Sequence, residues 1–268
     1  MTTFLDKVRE HKLREVEAAV TSGEADAASR ATPLRARGLF AAALGAPGRM
    51  SVISEIKRAS PSAGDIRADL DPVALARRYV AGGAAAISVL TEPHWFKGSL
   101  ADLRAVAAAV EAPVLRKDFI LDPVQIDVAV ANGASAVLLI AAFVSPDRLA
   151  QLVAHAHARG LDALVEIFAE EELEAALDAG TRLLGVNARN LKTLEVDRDV
   201  VLRIGPRLAE LVAAGRLDVT VAESGIQRGA HARAAWEVGY RAALVGEALV
   251  RAPDPAALLR ELSLEGAT

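Results

Sequence analysis

From residue 51 onward, short apolar runs alternate with longer stretches in which Ala, Leu and charged residues recur at helical spacing. The runs are Ser51–Glu55, Ala85–Leu90, Pro113–Arg116, Ala136–Ile140, Asp162–Glu166, Leu183–Asn187, Asp218–Ala222 and Ala242–Val245. They are nearly all apolar rather than alternating, which is the pattern of strands buried on both faces of a parallel sheet. Between them, Pro72–Gly82, Ser99–Val110, Pro123–Asn132, Pro146–Arg159 and Glu170–Ala179 are long enough for helices. Glycine turns at Gly82-Gly83-Ala84, Gly133-Ala134, Gly180-Thr181 and Gly239-Tyr240 precede the next strand, as helix C-caps would. Helix, glycine, strand and polar loop thus repeat, and eight such strands in this length predict an α/β fold, a closed (β/α)8 TIM barrel. The alternative is a doubly wound open sheet, but no GxGxxG follows an early strand.

The first part of the chain reads differently. Phe4, Val8, Leu13, Val16 and Val20 recur at roughly helical spacing until Gly23, and Ala28 to Leu44 reads as a second helix with Pro33 near its start. No strand signal precedes Met50. The expectation is a single domain over residues 1–268, of which residues 1–48 form a helical extension packed on the barrel.

Composition narrows the class. With 52% hydrophobic residues the 268-residue chain can bury enough surface to fold, so disorder is excluded. No Cys is present, which excludes a disulfide-stapled scaffold and fits a cytoplasmic location. The N-terminal segment carries both charge signs and no apolar signal core. The longest apolar run, Ala136 to Val144, falls far short of the roughly 20 residues of a membrane span. A net charge of −4 argues against general nucleic-acid binding, while leaving room for a small anionic ligand.

In such a barrel the chemistry sits where strands end. The strand ends carry Ser54, Glu55, Lys57 and Ser60; Arg116, Lys117 and Asp118; Glu166; Asn187 and Arg189; Glu223, Ser224 and Gly225; Gly246 and Glu247. One Lys or Glu after a strand is ordinarily a solvated loop charge. Here two lysines, three glutamates and an asparagine should converge on one mouth, and packed charges are costly unless they serve one another. Glu223-Ser224-Gly225-Ile226 and Gly246-Glu247-Ala248 follow the last two strands, the common phosphate position of these barrels. Either alone reads equally as a tight turn; in this order they favour a phosphate-bearing substrate. Trp95 and Phe96 either cover the rim or line a pocket for a flat ring. The five histidines are scattered, so no metal site is expected. Ser224 lacks a GxSxG setting, so a serine hydrolase is poorly supported.

The segments SEIKRASPSAG, LTEPHWFKGS, LRKDFI, LLIAAF, LVEI, GVNARNL, VAESGI and LVGEAL, in that order, resemble the indole-3-glycerol phosphate synthase family over nearly the whole chain, N-terminal extension included. The resemblance implies ring closure of 1-(2-carboxyphenylamino)-1-deoxyribulose 5-phosphate with loss of carbon dioxide and water, without metal or organic cofactor. It implies that Lys117 is the general acid of ring closure, that Glu166 and Lys57 serve dehydration, and that Glu55 orients the lysines. It leaves open which lysine serves which step. Lys57 and the backbone at Ser224, Gly225, Gly246 and Glu247 would hold phosphate. Ser60, Asn187 and Arg189 would hold the carboxylate or hydroxyls, and Glu223 the sugar. Phe96, Leu138 and Leu191 would wall the aromatic ring. Two positions depart from the family pattern, Ala188 and Ala222. Glu247 is expected to offer its N–H and turn its carboxylate away. The loop Arg58–Arg67 is expected to order over bound ligand. A monomer or weak homo-oligomer is expected, with a small-molecule substrate and no nucleic-acid or membrane partner. The competing readings are a phosphoribosylanthranilate isomerase, disfavoured by the missing Cys, a Lys117 Schiff-base aldolase, and a non-catalytic barrel subunit.

Overall fold

The computed structural model describes residues 3–189 and 195–264. Eight parallel strands close a barrel in sequence order: β1 (Ser51–Ile56), β2 (Ala86–Leu90), β3 (Val114–Lys117), β4 (Ala136–Ile140), β5 (Asp162–Ile167), β6 (Leu183–Asn187), β7 (Val219–Glu223) and β8 (Ala242–Val245). Closure is made by β1 pairing with β8, with Ser51 opposite Ala242 and Ser54 opposite Val245. Alternation along each strand sorts side chains into two cores. Ile53, Ala86, Leu115, Leu164, Leu183 and Val219 fill the barrel. Val52, Val89, Val137, Leu139, Val165 and Val186 pack outward under the helices.

The helices are α1 (Phe4–Thr21), α2 (Glu24–Ser29), α3 (Leu39–Leu44), α4 (Pro72–Ala81), α5 (Leu100–Ala109), α6 (Pro123–Ala131), α7 (Pro146–Ala158), α8 (Leu173–Asp178), α9 (Arg198–Ala213), α10 (Gly229–Glu237), α11 (Glu247–Arg251) and α12 (Pro255–Leu262). Asp71-Pro72, Asp122-Pro123, Ser145-Pro146 and Asp254-Pro255 each place a side-chain cap before proline at the first turn. The cap satisfies an orphan N–H, and proline lacks the N–H that would otherwise need a partner.

The eight predicted strands are all present, each within a residue or so of its expected bounds, and strands begin only after Met50. The predicted helix over Ala28–Leu44 is not continuous. It splits into α2 and α3 with residues 30–38 non-helical between them. Pro33 removes a donor there and disfavours helix at the residue before it. Gly38, with φ at +89°, then turns the chain into α3.

The buried face of α1 also differs from expectation. Val8 and Lys12 are buried, whereas Leu13 and Val20 are 53% and 57% exposed. The extension spans the barrel. Phe40 and Leu44 of α3 close its amino end, where Asp162 accepts the N–H groups of Gly38 (3.1 Å) and Ala41 (3.1 Å). At the other end α1 sets Phe4 against Trp95 and Phe119, with ring centroids 5.4 and 6.2 Å apart.

Candidate active site

The carboxyl ends of the strands surround a cleft lined by Glu55, Lys57, Lys117, Glu166, Asn187 and Glu223. Period-two alternation explains the convergence, since each of these residues lies within one residue of a strand's carboxyl end, on the inward face. Lys117 Nζ lies 3.2 Å from Glu166 Oε2 and 3.0 Å from Glu223 Oε2. Asn187 Nδ2 donates to the same Glu166 oxygen at 3.0 Å, and its Oδ1 accepts the Arg189 N–H at 2.9 Å. Lys57 Nζ pairs with Glu55 Oε1 at 2.6 Å.

Burial alone would push the Lys117 ammonium down, but Glu166, Glu223 and Glu55 outweigh it, and the group is held well above its ordinary range. Lys117 is therefore protonated at neutral pH. Glu223 moves the other way from an ordinary carboxylate. Burial pushes it up to about 8, with Lys117 pulling it down and Glu166 adding to the rise. Its Oε1 is buried and finds no hydrogen-bond partner among the described residues.

Two glycines make room for these acids. A Cβ on Gly185 would collide with Glu223 Oε1 and sit 3.1 Å from its Cδ. A Cβ on Gly246 would collide with Glu55 Oε1 and sit 3.2 Å from Lys57 Nζ. The Gly246 position thus has a steric reason for glycine besides backbone access to an anion.

The remaining predicted residues distribute as follows. Phe96, Leu138, Arg189, Ser224, Gly225, Gly246 and Glu247 line the cleft. Ser224 and Gly225 are both left-handed, with φ of 64° and 75°, a sharp turn directly after Glu223. Glu247 turns its carboxylate to Arg251 Nε at 2.9 Å, one helical turn on. Ser60 is not among the lining residues; its hydroxyl accepts the Ala63 N–H at 3.2 Å within a hairpin that pairs Ala59–Ser60 with Gly64–Asp65. Leu191 lies outside the described residues. Of the two rim aromatics, Phe96 lines the cleft and Trp95 packs on α1.

Other residues of the site escaped the sequence reading. Phe119 and Ile140 line the cleft. Phe119 follows Lys117 by two, the signal that could have found it. Glu92, fully buried, accepts the N–H groups of His94 (2.9 Å), Trp95 (2.6 Å) and Phe96 (3.1 Å) and so shapes the loop that carries Phe96. Arg116 and Asp118, flanking Lys117, pair with each other at 2.9 Å on the outer side of the strand.

Fold and site together define a (β/α)8-barrel protein with an acid–base cluster of two lysines and three glutamates at the carboxyl mouth. Likeness to solved structures shows the fold: a 3-hexulose-6-phosphate synthase superposes with a TM-score of 0.62 at 20% identity, over 80% of this chain and 98% of that one. The family is shown by sequence. The chain belongs to the indole-3-glycerol phosphate synthase family, whose model matches residues 5–262. Relatives of that name include those of Mycolicibacterium gilvum, 46% identical over 98% of this chain and 95% of that protein, and Rhodococcus jostii, 49% identical over 85% and 82%. That of Carboxydothermus hydrogenoformans is 49% identical over 81% of this chain and 80% of its own length.

Proposed function

We propose that this protein converts 1-(2-carboxyphenylamino)-1-deoxyribulose 5-phosphate to indole-3-glycerol phosphate, with Lys117 as the acid of ring closure. The observation that carries the assignment is Lys117 held between Glu166 and Glu223 in a cleft that Phe96, Phe119, Leu138 and Ile140 also line. As the ring carbon attacks the ketone, negative charge develops on the ketone oxygen, and a fixed ammonium stabilises and then protonates it. The carboxylate leaves as carbon dioxide and the ring regains aromaticity.

Dehydration follows. Glu166, fixed by Asn187, takes a proton while an acid, Lys57 or reprotonated Lys117, protonates the departing hydroxyl. Burial makes Glu223 hold a proton more tightly than an ordinary carboxylate, and at 3.0 Å from Lys117 it can return the proton that Lys117 gave up. Glu55 holds Lys57 in place. Phe96, Phe119, Leu138 and Ile140 supply an apolar wall for the anthranilate ring. Lys57 and the backbone at Ser224–Gly225 and Gly246–Glu247 supply the phosphate end, and Glu223 a sugar hydroxyl. Arg189 and Ser60 belong to the carboxylate side; tight pairing there would stabilise the ground state and slow decarboxylation.

A Schiff-base reaction at Lys117 is disfavoured by the same electrostatics, because a protonated amine is not a nucleophile. No helix among the described residues is long and apolar enough to cross a membrane. We assign the protein to the cytoplasm, as a monomer or weak homo-oligomer, with its small-molecule substrate as its partner.

The test is to add purified protein, in EDTA, to the substrate and follow indole fluorescence. A rise that scales with protein supports the assignment and excludes an essential free metal. No rise, with substrate still bound by calorimetry, refutes the reaction but leaves a phosphosugar-binding barrel.

A further inference from the structure

One ion pair joins the N-terminal helix to the strand that carries Lys117. Lys12 of α1 is fully buried, although Leu13 beside it is 53% exposed. Its Nζ lies 2.8 Å from Asp118 Oδ1 and 2.8 Å from Glu15 Oε2. A buried lysine costs several kcal/mol of desolvation unless it is well paired, so a lysine in place of an apolar residue calls for a physical reason.

Charge balance is not that reason. Asp118 already has Arg116 Nη2 at 2.9 Å and the Thr91 hydroxyl at 2.6 Å, both on Oδ2. Lys12 takes the other oxygen, the one that also accepts the Phe119 N–H at 2.8 Å. Lys12 thereby fixes the acceptor that orients the first turn after β3. Strand alternation puts Lys117 inward and Asp118 outward, against α1.

Lys117 has its own supports. It is registered opposite Leu90 of β2, its carbonyl accepts the Thr91 N–H at 3.1 Å, and two glutamates hold its Nζ. Phe119 lies beyond the strand and is held at two backbone points, its N–H by Asp118 Oδ1 and its carbonyl by Gln125 Nε2 at 3.0 Å. Its ring leans on Phe4 of the same helix, on Phe96 and on Phe143, at 6.2, 6.3 and 5.6 Å.

We propose that Lys12 is a positioning residue for substrate binding, acting through the Asp118 carboxylate to hold Phe119 as the wall of the aromatic subsite. The proposal rests on the function assigned above. It separates two roles of one loop: Lys117 is set for chemistry by the barrel, and Phe119 is set for binding by the extension.

Steady-state kinetics of Lys12→Met, Lys12→Arg and Phe119→Leu test it. Lys12→Met should raise KM about tenfold, the scale of one displaced aromatic contact, with kcat within about twofold. Lys12→Arg, which keeps the charge and the donor, should recover most of the loss. Lys12→Met combined with Phe119→Leu should raise KM less than the product of the single effects, because both act on one ring. Should Lys12→Met not yield folded protein, Lys12→Gln reads the same quantities. An unchanged KM, a fall in kcat at constant KM, or full independence of the two substitutions would overturn the proposal. A wild-type protein without turnover would instead refute the functional assignment, and calorimetric binding of the substrate by the same variants would then decide the role of Lys12.

Discussion

Gly185→Ala adds one methyl group at the point where β6 meets the side chain of Glu223. The new Cβ would stand 3.1 Å from Glu223 Cδ and far inside contact distance of Oε1. Carbon and oxygen pack at about 3.5 Å, so the carboxylate oxygen must retreat by roughly an ångström or more. The barrel interior below Glu223 is filled, so the carboxylate can retreat only toward the cleft, away from its place beside Lys117. Overpacking of this kind costs about 1–3 kcal/mol of stability. The larger effect is on Lys117, which loses its 3.0 Å partner and shifts toward Glu166. A displacement of about 1 Å in a reacting group costs on the order of 100-fold in rate. We therefore expect Gly185→Ala to melt a few degrees lower and to lose roughly 100-fold in kcat, with KM changed far less. Indole fluorescence gives the kinetics, and thermal unfolding by circular dichroism gives the stability. A variant that is destabilised yet turns over at the wild-type rate would refute the reasoning, because Glu223 would then have moved without consequence.

Lys117→Ala and Glu166→Gln should each lower turnover by roughly 100-fold or more in folded protein, the scale of a positioned acid or base; full turnover in both would sink the role assignments. Because the folded state holds the Glu223 proton up to about pH 8, kcat should fall as pH rises through that value, and Glu223→Gln should be slower and lack this limb. The same raised affinity means that folded protein binds more protons than unfolded between about pH 4.5 and 8, so stability should decline across that window and level off above it; melting temperatures of wild type and Glu223→Gln against pH read this directly. The hairpin after β1 is tied down by Lys97–Asp65 (2.6 Å), by Arg58–Asp102 and by Arg189 Nη1 to Ser62 Oγ (3.0 Å). Bound product should slow tryptic cleavage at Arg67, and equal cleavage with and without product would count against closure over the ligand.

Much of this architecture is legible in the residues. Strands such as Ala136–Ile140 are buried on both faces, so the hydrophobic pattern has only one physical meaning, and the residues at their carboxyl ends, Lys117, Glu166 and Glu223, follow from counting. The extension is less legible because its partners are far away in sequence. Leu13 looks like a core position and Lys12 like a surface one, and the order is reversed only by Asp118, 106 positions later. Glycines mislead for a similar reason. Gly246 reads as a phosphate-loop glycine, and nothing local reveals that Glu55 occupies the space where its side chain would be. Glu92 reads as a loop acid until its three backbone donors are seen.

The plug at the amino end of the barrel has a consequence for the order in which the molecule assembles. Gly38 and Ala41 find their acceptor in Asp162, 124 and 121 residues away, and α3 covers strands that are made after it. The barrel itself closes only when β8 reaches β1. The extension is therefore made before the surface it docks on, and the loop entropy of those contacts is met late. Phe40 and Leu44 spend that interval exposed, in a segment too short to hold a helix on its own. Slow synthesis or heat should thus penalise the nascent chain at α3, and substitutions that strengthen α3 should raise the yield of folded protein more than they raise its melting temperature.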